Sequence, residues 1–297
     1  MILAIDMGGT FIKYGWVTNK GEIVYKDKVE AIRDKETFYA FVKEKCLEHP
    51  TEGIALSVPG VADAEKGTVL VCGAYKFLNG LDICEELKEL TNRPVSVEND
   101  GRCAALCEAF YGAAKDVNSC SIIVLGTGIG SASIINRKLL RGAHMIAGEI
   151  CRLGLPTDMH TIKPDMVYGM KYGTVDVANA VSEKLGYIVN GYEMMGLYEQ
   201  GNETVKPFVD EWAYYIACLC YQFCLFIDPD MICIGGGISA SDTFMDLVRK
   251  YVHLIYENSP QFYEPTVVSC QSNNDANLLG AVCHFVQLNE TSVLQFN

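Results

Sequence analysis

The sequence predicts an α/β fold made of two similar halves. Apolar segments typical of strands alternate with segments whose apolar residues recur at helical spacing. The outline of residues 1–21 also recurs at 120–140, where an apolar strand, a Gly/Thr turn, a second strand and an Asn beside a basic residue follow one another again. Two halves with one plan predict a duplicated fold, with two lobes around a central cleft.

The first half contains both strand-like and helix-like segments. Five segments have the composition of strands: 2–5, 12–17, 22–28, 53–60 and 94–99. Three segments have the composition of helices: 35–49, which is amphipathic, 82–92 and 101–112.

The second half begins with the repeated hairpin. It then contains a predicted buried helix over 213–227, an apolar strand ahead of the glycines at 235–237, and a closing helix over 276–290. We expect an N-terminal lobe over 1–117 and a C-terminal lobe over 118–297, with the closing helix packed on the N-terminal lobe.

Composition and charge exclude several classes of protein. The chain has 297 residues, 49% of them hydrophobic, which is enough for a large core. Its net charge of −13 argues against a nucleic-acid partner, because phosphate backbones are bound by clustered Lys and Arg. The longest apolar run falls short of the ~20 residues that span a bilayer and contains Gln222, so we expect no membrane contact.

The cysteines and the N-terminus indicate a cytoplasmic protein. Thirteen cysteines include no Cys-x-x-Cys pair and lie mostly within apolar runs, as is typical of buried thiols in a reducing compartment. The N-terminus has no basic region and reaches Asp6 within six residues, so we expect no signal peptide.

The first motif is "DMGGTFIKYG", between the first two predicted strands. Glycines allow a tight turn whose N–H groups approach a phosphate, and the Thr10 hydroxyl and Lys13 ammonium add donors. The Asp6 carboxylate offers a hard oxygen to magnesium. A plain Gly-Gly hairpin is the alternative, but it does not account for Asp, Thr and Lys together.

Two further glycine motifs follow in the second half. In "LGTGIGSA", residues 126–128 form a turn that could bind the other end of a triphosphate. In "DPDMICIGGGIS", the glycines at 235–237 follow a buried strand, where an open α/β sheet commonly leaves its ligand crevice, and adenine could lie against them. Each could also be a structural turn.

The fourth motif is "VENDGRCAALCEAF", in which a strand ends on polar residues and a helix follows. A carboxylate at a helix start is commonly an N-cap, and that alternative applies to Asp100. Because Asn99 and Asp100 lie between two predicted phosphate turns, Asp100 is also a candidate general base for a hydroxyl that attacks a phosphoryl group.

Taken together, the motifs resemble the ROK family of sugar kinases and related repressors, which has the actin-like ATPase (ribonuclease H-like) fold. The matching segments are "DMGGTFIKYG", "SVPG", "VENDGRCAAL", "LGTGIGSA", "AGEI", "IGGGIS" and "LLGAV". The resemblance implies ATP- and magnesium-dependent phosphorylation of a sugar and a homodimer. It implies that phosphates and magnesium are bound by Asp6 (through water), Gly8, Gly9, Thr10, Lys13, Thr127 and Gly128; adenosine by Gly236 and Gly237; and sugar by Gly60, Asn99, Asp100 and Glu149.

The sequence departs from this family at "EICR". Most members carry Glu-x-Gly-His there, and the usual cysteine-rich zinc run is missing from the residues that follow. Cys151 and His160 are the only soft ligands nearby, too few for a closed tetrahedral site, so we expect no structural zinc. The phrases "IDPDMICIGGGIS" and "GAVCHFVQ" are similar to the zinc-less β-glucoside kinases, which implies transfer to the 6-hydroxyl of a glucose unit substituted at its anomeric oxygen.

Arg152 has three interpretations. It donates hydrogen bonds to the sugar or its substituent, it pairs with Glu149, or it is a surface cation without a role. Its planar fork of donors cannot replace a histidine that accepts a hydrogen bond or a metal. We predict a sugar-binding role, since it follows a candidate sugar ligand closely.

Other functions stay open at this point. A glucokinase or an N-acetylmannosamine kinase would share the same motifs. A ROK-type transcriptional regulator would need a helix-turn-helix ahead of a core that here begins at Ile2. A sugar-binding protein without catalysis would have little use for Asp6, Lys13 and Asp100.

Overall fold

The computed structural model describes residues 1–150, 153, 169, 171–258 and 263–289. The strands in these ranges are β1 (Ile2–Met7), β2 (Phe11–Val17), β3 (Ile23–Glu30), β4 (Gly53–Val58), β5 (Val61–Asp63), β6 (Thr68–Val71), β7 (Val95–Asn99), β8 (Cys120–Leu125), β9 (Ile129–Ile135), β10 (Lys138–Leu139), β11 (Met231–Gly235) and β12 (Thr266–Ser269). The α-helices are α1 (Lys35–Glu48), α2 (Ile83–Thr91), α3 (Asp100–Phe110), α4 (Thr174–Leu185), α5 (Gly191–Glu199), α6 (Lys206–Phe226), α7 (Asp242–Glu257) and α8 (Ala276–Asn289).

Two five-stranded sheets have the same topology. Their strand orders are β3-β2-β1-β4-β7 and β10-β9-β8-β11-β12. In each sheet the first three strands form an antiparallel meander, and the last two run parallel to the central strand. The predicted α/β fold of two similar halves is confirmed, because the hairpins that looked alike in sequence occupy the same place in both sheets.

The chain divides into two compact units. The first contains 1–111, 141–146 and the described residues from 274 onward; the second contains 112–140 and 147–273. Residues 112–117 belong to the second unit, while the short segment 141–146 and α8 belong to the first. Apolar residues of α8, Leu278 and Val282 among them, pack with Ile2 and Ala55 there.

The motifs of the first unit lie at the ends of buried central strands. All residues of β1 and β4 are buried, since each strand is paired on both edges and covered on both faces. The side chains of Leu3 and Trp16 lie in the core of the first unit.

Helix α6 is the main core helix of the second unit. It begins at Lys206 rather than at Ala213, because Trp212 and Val209 already face the core while Glu211 lies on the exposed side. None of the helices that the structure describes combines the length and apolarity needed to cross a bilayer.

Candidate active site

Three parallel strands of the first unit end side by side. The register pairs Asp6 of β1 with Ser57 of β4, and it pairs Ser57 and Val58 with Glu98 and Asn99 of β7. The carboxyl ends of parallel strands are where α/β sheets commonly bind ligands. The structure therefore brings the first and fourth motifs to one sheet edge within this unit.

Asp6 is a buried carboxylate with specific donors. Its Oδ1 accepts hydrogen bonds from Ser57 Oγ at 3.0 Å and from Asn277 Nδ2 at 3.1 Å. Burial raises the pKa of the carboxyl, while these bonds and the charge of Lys13 act in the opposite direction. Sequence reasoning missed Ser57 and Asn277, although Ser57 stands in the quoted phrase "SVPG".

Lys13 stands opposite Asp6 in the antiparallel pair of β1 and β2. Its Nζ donates to the backbone oxygen of Asn274 at 3.2 Å, just ahead of α8. Gly8, Gly9 and Thr10 form the turn between the two strands, and Gly9 and Thr10 are exposed. The predicted phosphate-binding groups of the first motif are thus grouped at the exposed end of a buried hairpin.

Asn99 connects the predicted sugar-binding residues of the first unit. Its Oδ1 accepts from Arg102 N at 3.1 Å and caps α3, and its Nδ2 donates to Gly60 O at 2.8 Å and to Asp100 Oδ1 at 2.9 Å. Asp100 Oδ1 also accepts from Gly101 N at 2.8 Å. The helix cap is therefore Asn99, and the Asp100 carboxylate lies in the first turn of α3.

A buried ion group lies behind these residues. Glu98 and Arg102 are 0% and 1% exposed, and Arg141 is 21% exposed. Glu98 Oε2 accepts from Arg141 Nε at 3.0 Å and Nη2 at 2.8 Å, while Oε1 lies 3.7 Å from Arg102 Nη1. Arg102 Nη2 donates to Met145 O at 2.6 Å. The two arginines thus attach the segment 141–146 to the strand that carries Asn99.

His284 of α8 faces the same group. It is 2% exposed, and its Nδ1 lies 3.3 Å from Arg141 Nη2. Burial lowers the pKa of the imidazole to about 4, with Arg141 adding repulsion and Glu98 opposing it. The ring is therefore neutral near pH 7, with Nδ1 accepting from the guanidinium.

Acid is expected to destabilise the protein partly through His284. Between pH 6.5 and 4 the unfolded chain binds a proton that the folded His284 excludes, so the free energy of unfolding falls as pH falls through this window. The contribution is about 3 kcal/mol over the whole window. Urea unfolding at pH 6 and pH 4.5 should show a smaller loss in His284→Gln than in the wild type.

His253→Gln is the matched control. This exposed ring pairs with Glu264 and Glu257, which raise its pKa, so both the folded and the unfolded state carry its proton below pH 6. The control should keep the wild-type pH dependence in the same window. An identical pH dependence in His284→Gln and the wild type would contradict the assignment.

The second unit holds the other two glycine motifs. Gly126 N donates to Gly128 O at 2.9 Å in the turn between β8 and β9. Gly236 has φ +92°, and a Cβ there would lie 2.0 Å from Leu125 O, so only glycine fits where the ends of β11 and β8 meet. Thr174, which sequence reasoning missed, joins the turn by donating to Gly126 O at 2.8 Å through its backbone N–H.

Thr127 and Gly237 line one cavity of the second unit. Its volume is about 1290 Å³, and its described lining includes the aromatic rings of Tyr187 and Tyr192. The charged residues among the described lining residues are Glu193, Glu199 and Asp242, with no Lys or Arg among them. Such a cavity suits an uncharged planar group with hydroxyls better than a phosphate chain.

Glu149 also belongs to the second unit, and Ser131 of β9 fixes its backbone. Ser131 Oγ donates to Gly148 O at 2.6 Å and accepts from Ile150 N at 3.0 Å, on either side of Glu149. The Glu149 side chain is half-buried. Cys151, Arg152 and His160 lie outside the described residues, so the expectations for Arg152 and for zinc stay predictions.

Comparison with known proteins identifies the family of this chain. The ROK family model matches residues 2–160 and 179–287. The beta-glucoside kinase of Listeria innocua is 29% identical, covering 96% of this chain and 97% of its own; that of Klebsiella pneumoniae is 30% identical, covering 97% and 96%. A ROK family protein from Streptococcus pneumoniae TIGR4, solved in complex with sucrose, superposes with a TM-score of 0.90 at 28% identity and covers 98% of this chain and 99% of its own. The predicted actin-like fold is confirmed, and the chain belongs to the ROK family.

Proposed function

We propose that this chain is an ATP-dependent carbohydrate kinase that transfers the γ-phosphoryl group to the 6-hydroxyl of a hexose or, preferentially, a β-glucoside. The observation that carries the proposal is the cluster of Gly60, Asn99 and Asp100, hydrogen-bonded together at the same strand edge as the buried Asp6. The relatives named beta-glucoside kinase support the sugar-kinase class.

Asp100 is the proposed general base. Its carboxylate accepts the proton of the sugar hydroxyl while the hydroxyl oxygen bonds to the γ-phosphorus and the bond from that phosphorus to the ADP oxygen breaks. Asn99 fixes the carboxylate through its Nδ2, and with Gly60 it is proposed to orient the sugar. A base held in this way needs little reorganisation when the hydroxyl arrives.

Positive charge and N–H groups are proposed to bind the phosphates. In the first unit these are Lys13 and the turn of Gly8, Gly9 and Thr10; in the second they are Thr127 and Gly128. Phosphoryl transfer depends mainly on positioning and on stabilising charge, and both sets supply donors for that purpose. An acidic protein can bind ATP in this way because the attraction is local.

The residues around Asp6 fit magnesium. The site offers the Asp6 carboxylate, whose Oδ1 is held by the Ser57 hydroxyl and the Asn277 amide N–H, and a carboxylate is a hard oxygen ligand suited to a hydrated ion that is also bound by phosphates. Magnesium, when bound, neutralises phosphate charge. Asp6 is proposed to hold it through water, and no structural zinc is proposed.

The cavity of the second unit is the proposed adenosine site. Gly236 and Gly237 would lie against the base, and the lining carboxylates could accept hydrogen bonds from ribose hydroxyls. The described lining of this cavity has no basic side chain. We therefore propose that the phosphates of ATP lie at the glycine turn at the edge of the cavity rather than inside it.

The sugar preference rests on the sequence at "EICR". Glu149 is proposed to bind sugar hydroxyls, and Arg152 the sugar or its substituent. Loss of the family's usual histidine and zinc run would leave room beyond the anomeric oxygen. We further propose that the protein is cytoplasmic and forms a homodimer. Sedimentation equilibrium of the purified protein would test the dimer.

A substrate screen tests the function. ATP consumption would be measured with glucose, N-acetylmannosamine, N-acetylglucosamine, cellobiose and an aryl β-glucoside, each with magnesium and with excess EDTA. We expect the highest kcat/KM for the β-glucosides, no turnover in EDTA, and no turnover of the aryl 6-deoxy-β-glucoside. A preference for glucose or N-acetylmannosamine would establish the alternative kinases, and no ATP consumption with any sugar would refute the proposal.

A further inference from the structure

We propose that Arg33 and Tyr75 are positioning residues for ATP, because they hold two carbonyl groups of the Gly8–Thr10 turn so that its amide N–H groups face the phosphates. The inference rests on the proposed function. Neither residue belongs to a motif recognised in the sequence. Each donates a hydrogen bond to a carbonyl oxygen of the turn, on the side away from the turn's amide N–H groups.

Tyr75 fixes the first peptide of the turn. Its hydroxyl donates to Gly8 O at 2.5 Å, and its side chain is 0% exposed in the core of the first unit. Burial raises the pKa of the phenol, so the hydroxyl stays protonated and keeps its role as a donor at neutral pH. A hydroxyl anchored by a core side chain is a rigid attachment point for a turn that contains two glycines.

Arg33 fixes the second peptide. Its Nη2 donates to Gly9 O at 2.6 Å, its Nη1 donates to Ala74 O, and its guanidinium carbon lies 5.5 Å from the centre of the Tyr75 ring. One planar group therefore bonds to the turn, to the residue beside Tyr75 and to the face of the Tyr75 ring. A lysine could not make this set of contacts, because it lacks the planar fork.

Because a peptide group is planar, holding its C=O also fixes the direction of its N–H. In a trans peptide the C=O of one residue and the N–H of the next point in opposite directions. Holding Gly8 O and Gly9 O therefore aims the N–H groups of Gly9 and Thr10 to the opposite side. Within the part of the chain that the structure describes, neither N–H donates to another residue.

Ordering the turn before ATP binds has a physical advantage. Two consecutive glycines leave the free turn many conformations, and ordering it when ATP binds would reduce affinity. Donors that are already oriented stabilise the charge of the transferring phosphoryl group without reorganisation. The Arg33–Tyr75 pair supplies this order from the side of the turn that ATP does not contact.

The test compares Tyr75→Phe and Arg33→Lys with Tyr39→Phe. Tyr39 also lies in the first unit, and its hydroxyl donates to Glu86 Oε2 at 2.8 Å, so the control loses one hydrogen bond remote from the turn. We expect kcat/KM for ATP to fall about tenfold in each of the two variants, while KM for the sugar changes less than twofold. The control should keep wild-type kinetics with a similar change in thermal midpoint.

Nucleotide binding gives a second readout that does not require turnover. By isothermal titration calorimetry, Kd for a non-hydrolysable ATP analogue should rise about tenfold in Tyr75→Phe and Arg33→Lys. If the wild type bound the analogue but phosphorylated no sugar, the proposed function would fail and this comparison would still measure the pair. Unchanged kinetics and Kd in both variants, or equal losses in the control, would overturn the inference.

Discussion

Replacing Asp100 by Asn is expected to lower kcat by about 10³-fold while Kd for the sugar and for ATP changes little. The amide oxygen of Asn can still accept from Gly101 N and Asn99 Nδ2, which now bond to Asp100 Oδ1 at 2.8 Å and 2.9 Å. The variant therefore keeps the local structure but loses the group that accepts the proton. Steady-state kinetics on the preferred sugar, with calorimetric binding of sugar and nucleotide, would measure both effects.

Asp82→Asn is the control for Asp100→Asn. Asp82 is the N-cap of α2 and accepts from Glu85 N at 3.2 Å, so it is also a carboxylate at a helix start in the first unit. Asn caps helices as well as Asp does, so the kcat of Asp82→Asn should stay within about twofold of the wild type. Full activity in Asp100→Asn would refute the base assignment.

The largest loss of stability is expected for Glu98→Gln. Removing this charge leaves Arg102, which is 1% exposed, and the partly buried Arg141 without their carboxylate. Breaking a buried ion pair on one side typically costs about 3–5 kcal/mol, since a cation is left without compensation. Urea unfolding in a Trp212→Phe background would measure this, because Trp16 of the first unit is then the only tryptophan.

Glu85→Gln provides the comparison for Glu98→Gln. It makes the same change in an exposed pair, where Glu85 Oε2 lies 2.9 Å from Lys88 Nζ and the side chains are 56% and 58% exposed. Exposed ion pairs contribute about 0–1 kcal/mol, so this variant should unfold close to the parent. Equal losses in the two variants would show that the buried group has no special role.

The sequence predicted the fold well because periodicity and turn residues are local signals. The repeated hairpin led directly to two sheets of one topology. The predicted start of α6 was too late, because Asp210 and Glu211 interrupt the apolar run in the sequence. In the structure these two residues lie on the less buried side of the helix, which continues through them. The return of 141–146 to the first unit had no local signal.

The site was predictable only where residues stand next to one another in a motif. Asn99 and Asp100 both suit an N-cap, and only the end of β7 shows that Asn99 takes that position. The pairing of Glu98 with Arg141 joins residues 43 positions apart, and that of Asp6 with Asn277 joins residues 271 apart. Neither spacing follows from periodicity, because such contacts depend on tertiary packing.

The place of α8 in the first unit has a consequence for biosynthesis. Ile2, Ala4 and Ala55 leave the ribosome well before the residues of α8 that pack against them, such as Val282 and Phe285. The nascent chain therefore exposes one apolar face of its first sheet until α8 has been translated, and exposed faces of this kind favour aggregation or chaperone binding. Neither unit is one uninterrupted stretch of the chain, because α8 belongs to the first unit and the segment 141–146 interrupts the second.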